Sequence, residues 1–356
     1  MRIVVKIGSS SLTTKQQIDT TKLQDHVEAV VYLKNLGHEV IIVSSGAVAA
    51  GFKRLGYPSR PVTIKGKQAA AAIGQSILIQ HYSDLFTNYN LNVAQLLLTR
   101  DDFTQKKRYQ NVHATLSELL ERNIIPIINE NDTVSISELT FGDNDMLSAL
   151  VAAHMHADFL VILTDINGLY TDNPNTNKEA LRINFVEDIT EQLFSMTSDT
   201  SSSVGTGGMT SKLTAAKYAV DNGVHTFIGS GNGREKLHDI INYSGDGTYF
   251  KKKEGNNRTI KRWLTLTEPN GKIYIDEGAY DAIINRGKSL LIAGITHCNG
   301  HFEAGDVVDV CYNDQVIGRG EIGCTFYELT ELIKNHNKER SNVIIHRDAW
   351  VKLKEE

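Results

Sequence analysis

The sequence predicts an α/β protein, a three-layer αβα sandwich on a mainly parallel sheet, with a small β-barrel after it. Two observations predict the sandwich: β-rich runs alternate with helical patterns from residue 2 to near residue 230, and the runs are mostly apolar instead of alternating apolar with polar residues. Strands covered by helices on both faces read that way, whereas half-exposed strands alternate apolar with polar residues. A third observation predicts the barrel. Beyond Gly245-Asp-Gly247 and the polar stretch Lys251-Lys-Lys-Glu-Gly-Asn-Asn257, the pattern shortens to brief strands separated by glycine turns, which marks a domain boundary.

Residues 2 to 7 form the first strand; Leu23, Val27, Val30 and Val31 then keep a helical period behind a Thr20 or Thr21 cap, Gly37 ends that helix, and Val40-Ile-Ile-Val43 is the next strand. Further strands are expected at Val93–Leu98, Ile124–Ile128, Phe159–Leu163 and His225–Ile228, with helices near 67–86, 111–122, 145–156 and 210–222. Pro126 lacks the N–H that a central strand uses, so its strand is expected at an edge or with a bulge. In the C-terminal part, Lys272–Ile275, Val307–Tyr312 and Val343–His346 read as strands of the barrel, joined by one or two short helices.

Bulk properties exclude several classes. With 356 residues and 41% hydrophobic content, the chain has material for two packed cores. A formal net charge of −5 with interspersed signs fits neither a polyanion-coating basic module nor an acidic tail protein. No apolar run approaches the roughly 20 residues of a membrane helix, and Met1 leads into a strand rather than a signal peptide. The reading is a cytosolic protein. Cys298, Cys311 and Cys324 are odd in number and without a CxxC pair, so they are expected as small buried hydrophobes rather than disulfides or zinc ligands.

Chemistry is concentrated in Gly205-Thr-Gly-Gly-Met-Thr-Ser-Lys212. Three glycines expose successive backbone N–H groups, and a lysine closes the run as a helix begins, a combination that cradles polyphosphate oxygens. It is not a Walker A loop, since Lys212 follows Ser211 and precedes Leu213 instead of preceding Ser or Thr. A Ser/Thr/Gly-rich surface loop is the plainer alternative for residues 198–211.

Open parallel sheets bind ligands beyond the carboxyl ends of their strands, and those positions are rich here: Lys6-Ile-Gly-Ser-Ser-Ser11, Ser44-Ser-Gly-Ala47, Asn129-Glu-Asn-Asp132 and Thr164-Asp165, with Gly142-Asp-Asn-Asp145 opening a helix. Singly, each is an ordinary cap, turn or surface charge. Together they align two lysines, several N–H groups and several carboxylates along one sheet edge. Phosphoryl transfer needs that mixture, because its catalysis is alignment plus neutralisation of charge on the moving group. Carboxylates would orient the lysines, hold an acceptor ammonium or touch water bound to Mg²⁺. A carboxylate acceptor, with a reference pKa near about 4.3, is already ionised and needs no general base. A catalytic histidine is therefore not required, and His154 and His156 are assigned to packing or surface roles.

These residues resemble the glutamate 5-kinase family, in which an amino acid kinase domain precedes a PUA domain. The resemblance covers nearly the whole chain and rests on Val4-Val-Lys-Ile-Gly8, Val43-Ser-Ser-Gly-Ala47, Leu97-Leu-Thr-Arg100, Ile128-Asn-Glu-Asn-Asp132, Gly142-Asp-Asn-Asp-Met-Leu-Ser-Ala149, Leu163-Thr-Asp-Ile-Asn-Gly-Leu-Tyr170 and the 205–212 run. In the C-terminal part it rests on Asp276-Glu-Gly-Ala279, Arg286-Gly-Lys-Ser-Leu-Leu291 and Gly305-Asp306. It implies a kinase domain over 1–250, a linker over 251–269 and a PUA domain over 270–356. By position it implies that Ser45, Asp132 and Asn144 hold L-glutamate. Gly8, Thr164, Asp165, Thr206, Gly207, Gly208, Met209, Thr210, Ser211 and Lys212 would hold ATP. Lys6 and Lys212 would flank the transferring phosphoryl group, with Asp145 orienting them and Mg²⁺ bound without named protein ligands. Ile7 and the Thr210-Ser211 order depart conservatively from the family pattern. The implied activity is formation of γ-glutamyl phosphate, the first step of proline synthesis, with feedback inhibition by proline and assembly into homodimers or homotetramers.

The rival kinase readings are acetylglutamate, aspartate, carbamate or nucleoside monophosphate as acceptor. A different class, RNA binding through the PUA domain, is disfavoured by charge: from residue 255 onward there are 13 Lys plus Arg against 15 Asp plus Glu, where a phosphate-tracking surface should be basic.

Overall fold

The structure is a computed structural model that describes residues 1–15, 17–134, 143–172, 177, 179–196, 208–253, 264, 267–334 and 342–353. The chain divides into two compact units, one of Met1–Phe103 with Tyr109–Glu254 and one of Gly255–Glu356 with Thr104–Arg108.

In chain order the elements up to residue 130 are β1 (Arg2–Ile7), α1 (Ser9–Leu12), β2 (Thr13–Thr14), β3 (Gln17–Ile18), α2 (Thr20–Asn35), β4 (Glu39–Ser44), α3 (Ala47–Gly51), a 3₁₀ turn (Phe52–Leu55), α4 (Ile64–Thr87), β5 (Val93–Leu98), α5 (Lys106–Glu121) and β6 (Ile125–Glu130). After them come α6 (Asp143–His154), β7 (Phe159–Leu163), β8 (Leu169–Tyr170), β9 (Arg182–Ile183), β10 (Phe185–Val186), α7 (Glu191–Ser195), α8 (Met209–Asp221), β11 (His225–Gly229), α9 (Lys236–Ile241) and β12 (Gly247–Phe250). Eight strands form one sheet in the order β10-β12-β11-β7-β1-β4-β6-β5. Every neighbouring pair is parallel except β11 with β12.

The three layers arise from alternation along the strands. In β1, Val4 points into the core shared with Leu116 of α5, Leu147 of α6 and Leu213 of α8. Ile3, Val5 and Ile7 point to the opposite core, with Leu23 and Val27 of α2, Leu78 of α4 and Leu237 of α9. Both faces are dry, so parallel strands here carry no polar alternation. One close approach needs glycine: a Cβ on Gly74 of α4 would lie 1.7 Å from the Ala47 carbonyl oxygen, and one on Gly51 of α3 would lie 2.0 Å from that of Ala70. The two glycines let α3 lie against α4 at backbone distance, which sets where the loop after β4 ends up.

Three expectations are corrected. The cap of α2 is Asp19, not Thr20 or Thr21; its extended backbone lets Oδ1 accept from the N–H groups of Thr21 at 3.0 Å and Lys22 at 3.3 Å, while the two threonines already belong to the helix. The Pro126 strand lies inside the sheet, between β4 and β5, with an unbroken register. Its ladder to β4 covers only Ile127 and Ile128, so the residue without an N–H falls outside that pairing. Of the cysteines, Cys311 is buried while Cys298 and Cys324 are half-buried. His154 packs among Phe103, Tyr109 and His113, and burial pushes its pKa down to about 3, a packing role as expected.

The second unit is a six-stranded sheet curled on its own core, ordered β14 (Leu290–Leu291), β18 (Val343–Lys352), β17 (Gln315–Ile322), β16 (Val307–Tyr312), β13 (Gly271–Ile275) and β15 (Ile295–Gly300). Helices Glu277–Ile284 and Phe326–Lys334 accompany it. Ile273, Val308, Val310, Ile322, Leu329 and Ile345 are the centre of that core. No helix among the described residues is long and apolar enough to cross a membrane.

Candidate active site

The central strand ends in a buried ion cluster. Lys6, on β1, places Nζ 2.5 Å from Asp145 Oδ1, and Lys212, in the first turn of α8, places Nζ 3.2 Å from Asp145 Oδ2. Ser211 Oγ donates to the same Oδ2 at 3.0 Å and to the Gly208 carbonyl at 2.9 Å. The three charged residues are nearly inaccessible, at 6%, 2% and 9% exposure for Lys6, Asp145 and Lys212. Burial pushes the Lys6 ammonium below its ordinary pKa, and the Lys212 charge adds to that against the pull of Asp145. Burial alone would raise the Asp145 carboxyl, yet the two lysines outweigh it and hold the group below the usual carboxylate range. Two ammonium groups thus meet at one carboxylate in a poorly solvated place. An anion is what such a cluster attracts.

Beside it lies a polar cleft lined by Lys6, Gly8, Ser45, Asp132, Asn144, Asp145, Thr164 and Lys212, and also by Ser9, Ser10, Arg60 and Asn129. The strand order explains the gathering. β1 is flanked by β4 and β6 on one side and by β7 and β11 on the other, and the carboxyl ends of these parallel strands bring their loops to one edge. The β4–β6 side carries a hydrogen-bonded frame. Asn144 Nδ2 donates to Ser45 Oγ at 3.0 Å and to Asn129 Oδ1 at 2.9 Å, and Asn144 Oδ1 accepts from the Glu130 N–H at 3.1 Å. The Ser45 N–H in turn donates to the Ile7 carbonyl at 3.0 Å, which pins this loop to the end of β1. Gly46, at φ 108°, turns the chain into α3.

The other side carries Thr164 and α8. Thr164 donates its N–H to Gly229 at 2.9 Å and its hydroxyl to Asp165 Oδ1 at 3.1 Å. Asp165 is exposed but near enough to favour the charged form of Lys6. Gly8 leaves little room: a Cβ there would sit 3.3 Å from the Leu163 carbonyl oxygen and 3.5 Å from Lys6 Nζ. Gly208, Met209, Thr210 and Ser211 open α8 beside the cluster without lining the cleft. Thr206 and Gly207 lie outside the described residues. Sequence reasoning assigned no role to Asn129, although it stands in the Asn-Glu-Asn-Asp run, or to Arg60, which sits in a Pro-flanked loop with no motif around it.

Residues 1–230 match the model of the amino acid kinase family and residues 271–344 that of the PUA domain. The chain is 52% identical to glutamate 5-kinase 1 of Bacillus subtilis over 364 residues, covering 99% of each chain. It is likewise 52% identical to glutamate 5-kinase of Geobacillus kaustophilus over 372 residues, covering 100% of this chain and 98% of that one. The chain belongs to the glutamate 5-kinases of the amino acid kinase family. It is thus a kinase with an appended PUA domain, and its sheet has a counterpart in the carbamate kinase of Giardia lamblia solved with AMP-PNP. That match has a TM-score of 0.51 at 14% identity and covers 71% of this chain and 98% of the other, so it speaks to the fold.

Proposed function

We propose that the enzyme transfers the γ-phosphoryl group of ATP to the γ-carboxylate of L-glutamate, giving γ-glutamyl phosphate, and that this is the opening step of proline synthesis. The observation that carries the reading is the buried Lys6–Asp145–Lys212 cluster at the junction of two differently built halves of one cleft. Relatives half identical over full length carry the name glutamate 5-kinase.

The two halves divide the labour. Ser45, Asp132 and Asn144 hold the amino acid on the β4–β6 side; Gly8, Thr164, Asp165 and the start of α8 through Lys212 hold the nucleotide on the β7–β11 side. Lys6, on the strand between them, and Lys212 meet the phosphoryl group as charge spreads over its oxygens. Asp145 binds both ammonium groups, so they are placed before substrate arrives and need no reorganisation during transfer. The acceptor carboxylate attacks the phosphorus in line while the bond to the bridging oxygen breaks and its electrons leave on ADP. No side chain has to remove a proton. Asp165, the exposed carboxylate at that edge, would help to hold a Mg²⁺ ion brought in with the nucleotide, and the ion would supply neutralisation of phosphate charge. Proline shares the α-carboxylate and the amino nitrogen of glutamate, which supports feedback inhibition at the acceptor half.

The test supplies L-glutamate, ATP, Mg²⁺ and hydroxylamine and measures γ-glutamyl hydroxamate. Folded protein that forms hydroxamate from aspartate or acetylglutamate but not from glutamate would overturn the acceptor assignment.

A further inference from the structure

Arg60 lies in the loop between the 3₁₀ turn Phe52–Leu55 and α4, and it lines the active cleft together with Ser45, Asn129, Asp132 and Asn144. The chain reaches this loop from the carboxyl end of β4 by way of α3 and the 3₁₀ turn, so Arg60 belongs to the connection between β4 and α4 on the acceptor half, not to the half built on β7 and α8. The other two cations of the cleft are bound to Asp145. Arg60 forms no hydrogen bond or ion pair among the described residues, and its Nε is shielded from solvent without an acceptor. Asn129 Nδ2 is a second buried donor in this frame without an acceptor among the described residues. A guanidinium stays charged at every working pH, and a buried N–H left unpaired is costly. A planar, two-oxygen anion would satisfy it by a forked pair of bonds.

We propose that Arg60 is a specificity residue of the acceptor half, its guanidinium holding the α-carboxylate of the amino-acid substrate. The inference rests on the glutamate-kinase reading above. If the γ-carboxylate is turned toward Lys6 and Lys212, the α-carboxylate at the other end of the same molecule needs its own counter-charge. The loop 56–63, which contributes no catalytic group, supplies it. Arg60 thereby makes the enzyme choose acceptors that carry a second carboxylate.

The experiment compares wild type with Arg60→Gln and Arg60→Lys in steady-state assays, varying glutamate and ATP separately. For Arg60→Gln the KM for glutamate should rise about tenfold or more, which corresponds to about 1.4 kcal/mol, while the KM for ATP stays within about twofold. Arg60→Lys keeps the charge but loses the fork, so it should fall between the two. L-Isoglutamine, in which the α-carboxylate is an amide, serves as a competing ligand: wild type should bind it far more weakly than glutamate, and Arg60→Gln should bind the two nearly alike. A KM for glutamate unchanged in Arg60→Gln would overturn the inference, as would equal weakening of glutamate and isoglutamine. A rise confined to the KM for ATP would also overturn it and assign the loop to the phosphates. Wild-type turnover of glutamate in the same assay separates failure of this inference from failure of the reaction on which it rests.

Discussion

Replacing Asp145 by asparagine keeps the shape of the side chain and removes the charge that two lysines share. The carboxylate is 2% exposed, with ammonium nitrogens at 2.5 and 3.2 Å and the Ser211 hydroxyl at 3.0 Å. Removing one partner from a buried ion cluster costs about 3–5 kcal/mol, because the charges left behind are neither solvated nor paired. Asparagine keeps one acceptor oxygen, and Lys6, already depressed by burial, can relieve the repulsion by releasing its proton. The cost should therefore fall near the lower limit, about 3 kcal/mol. For a unit of this size that lowers Tm by about 6–12 °C. Turnover should fall about 100-fold or more, because the lysines lose both placement and charge. The pH dependence is set by the direction of the Asp145 shift. Its folded pKa lies below the ordinary 3.8, so its stabilisation is complete above that value and is lost as pH falls through the lower folded one. The Tm gap between wild type and variant should accordingly persist at neutral pH and narrow only in acid. Thermal unfolding by circular dichroism and the hydroxamate assay measure both effects. A variant that melts within about 2 °C of wild type and turns over within tenfold of it would refute the argument that this buried carboxylate organises the lysines.

Lys212→Ala should lower turnover by about 100- to 1000-fold with a modest change in Tm, since Lys6 still pairs with Asp145; near-normal turnover would show that α8 begins beside the cluster for another reason. The depressed Lys6 pKa means that the cation, the form that meets phosphate, is lost earlier than for an ordinary lysine as pH rises. The kcat/KM for ATP should therefore decline with an alkaline pKa below 10.5, and Lys6→Arg should move that decline upward; an unmoved limb assigns it to another group. Gly74→Ala would press a methyl group to 1.7 Å from the Ala47 carbonyl oxygen. It should cost about 3 kcal/mol or more, seen as a lower Tm, and should raise the KM for glutamate through displacement of the loop that starts at Ser45.

Much of this molecule is legible in its sequence because its informative residues obey local rules. The strands Val93–Leu98 and Phe159–Leu163 have the limits that their residues predict, since a largely apolar run closed by polar residues leaves little ambiguity about where a strand stops. Lys6, Ser45, Thr164 and Lys212 stand at the carboxyl ends of strands or the start of a helix, positions that periodicity alone marks. They gather at one sheet edge because parallel strands end together. The place of the Pro126 strand is not legible in this way, because the position of a strand within a sheet depends on its neighbours and not on its own residues. Arg60 gives no local signal, since nothing around it repeats or caps.

The sequence alone therefore determined the order of the long strands and helices, the two-part organisation and the chemical inventory, because hydrophobic period, glycine turns and charged residues at strand ends act over a few positions. Only the tertiary structure decided that Lys6 and Lys212, far apart in the chain, share the two oxygens of Asp145, and that Arg60 enters the same cleft with its Nε unpaired among the described residues. Pairing and burial arise from packing segments distant in sequence, and local propensity does not encode which distant charges will meet.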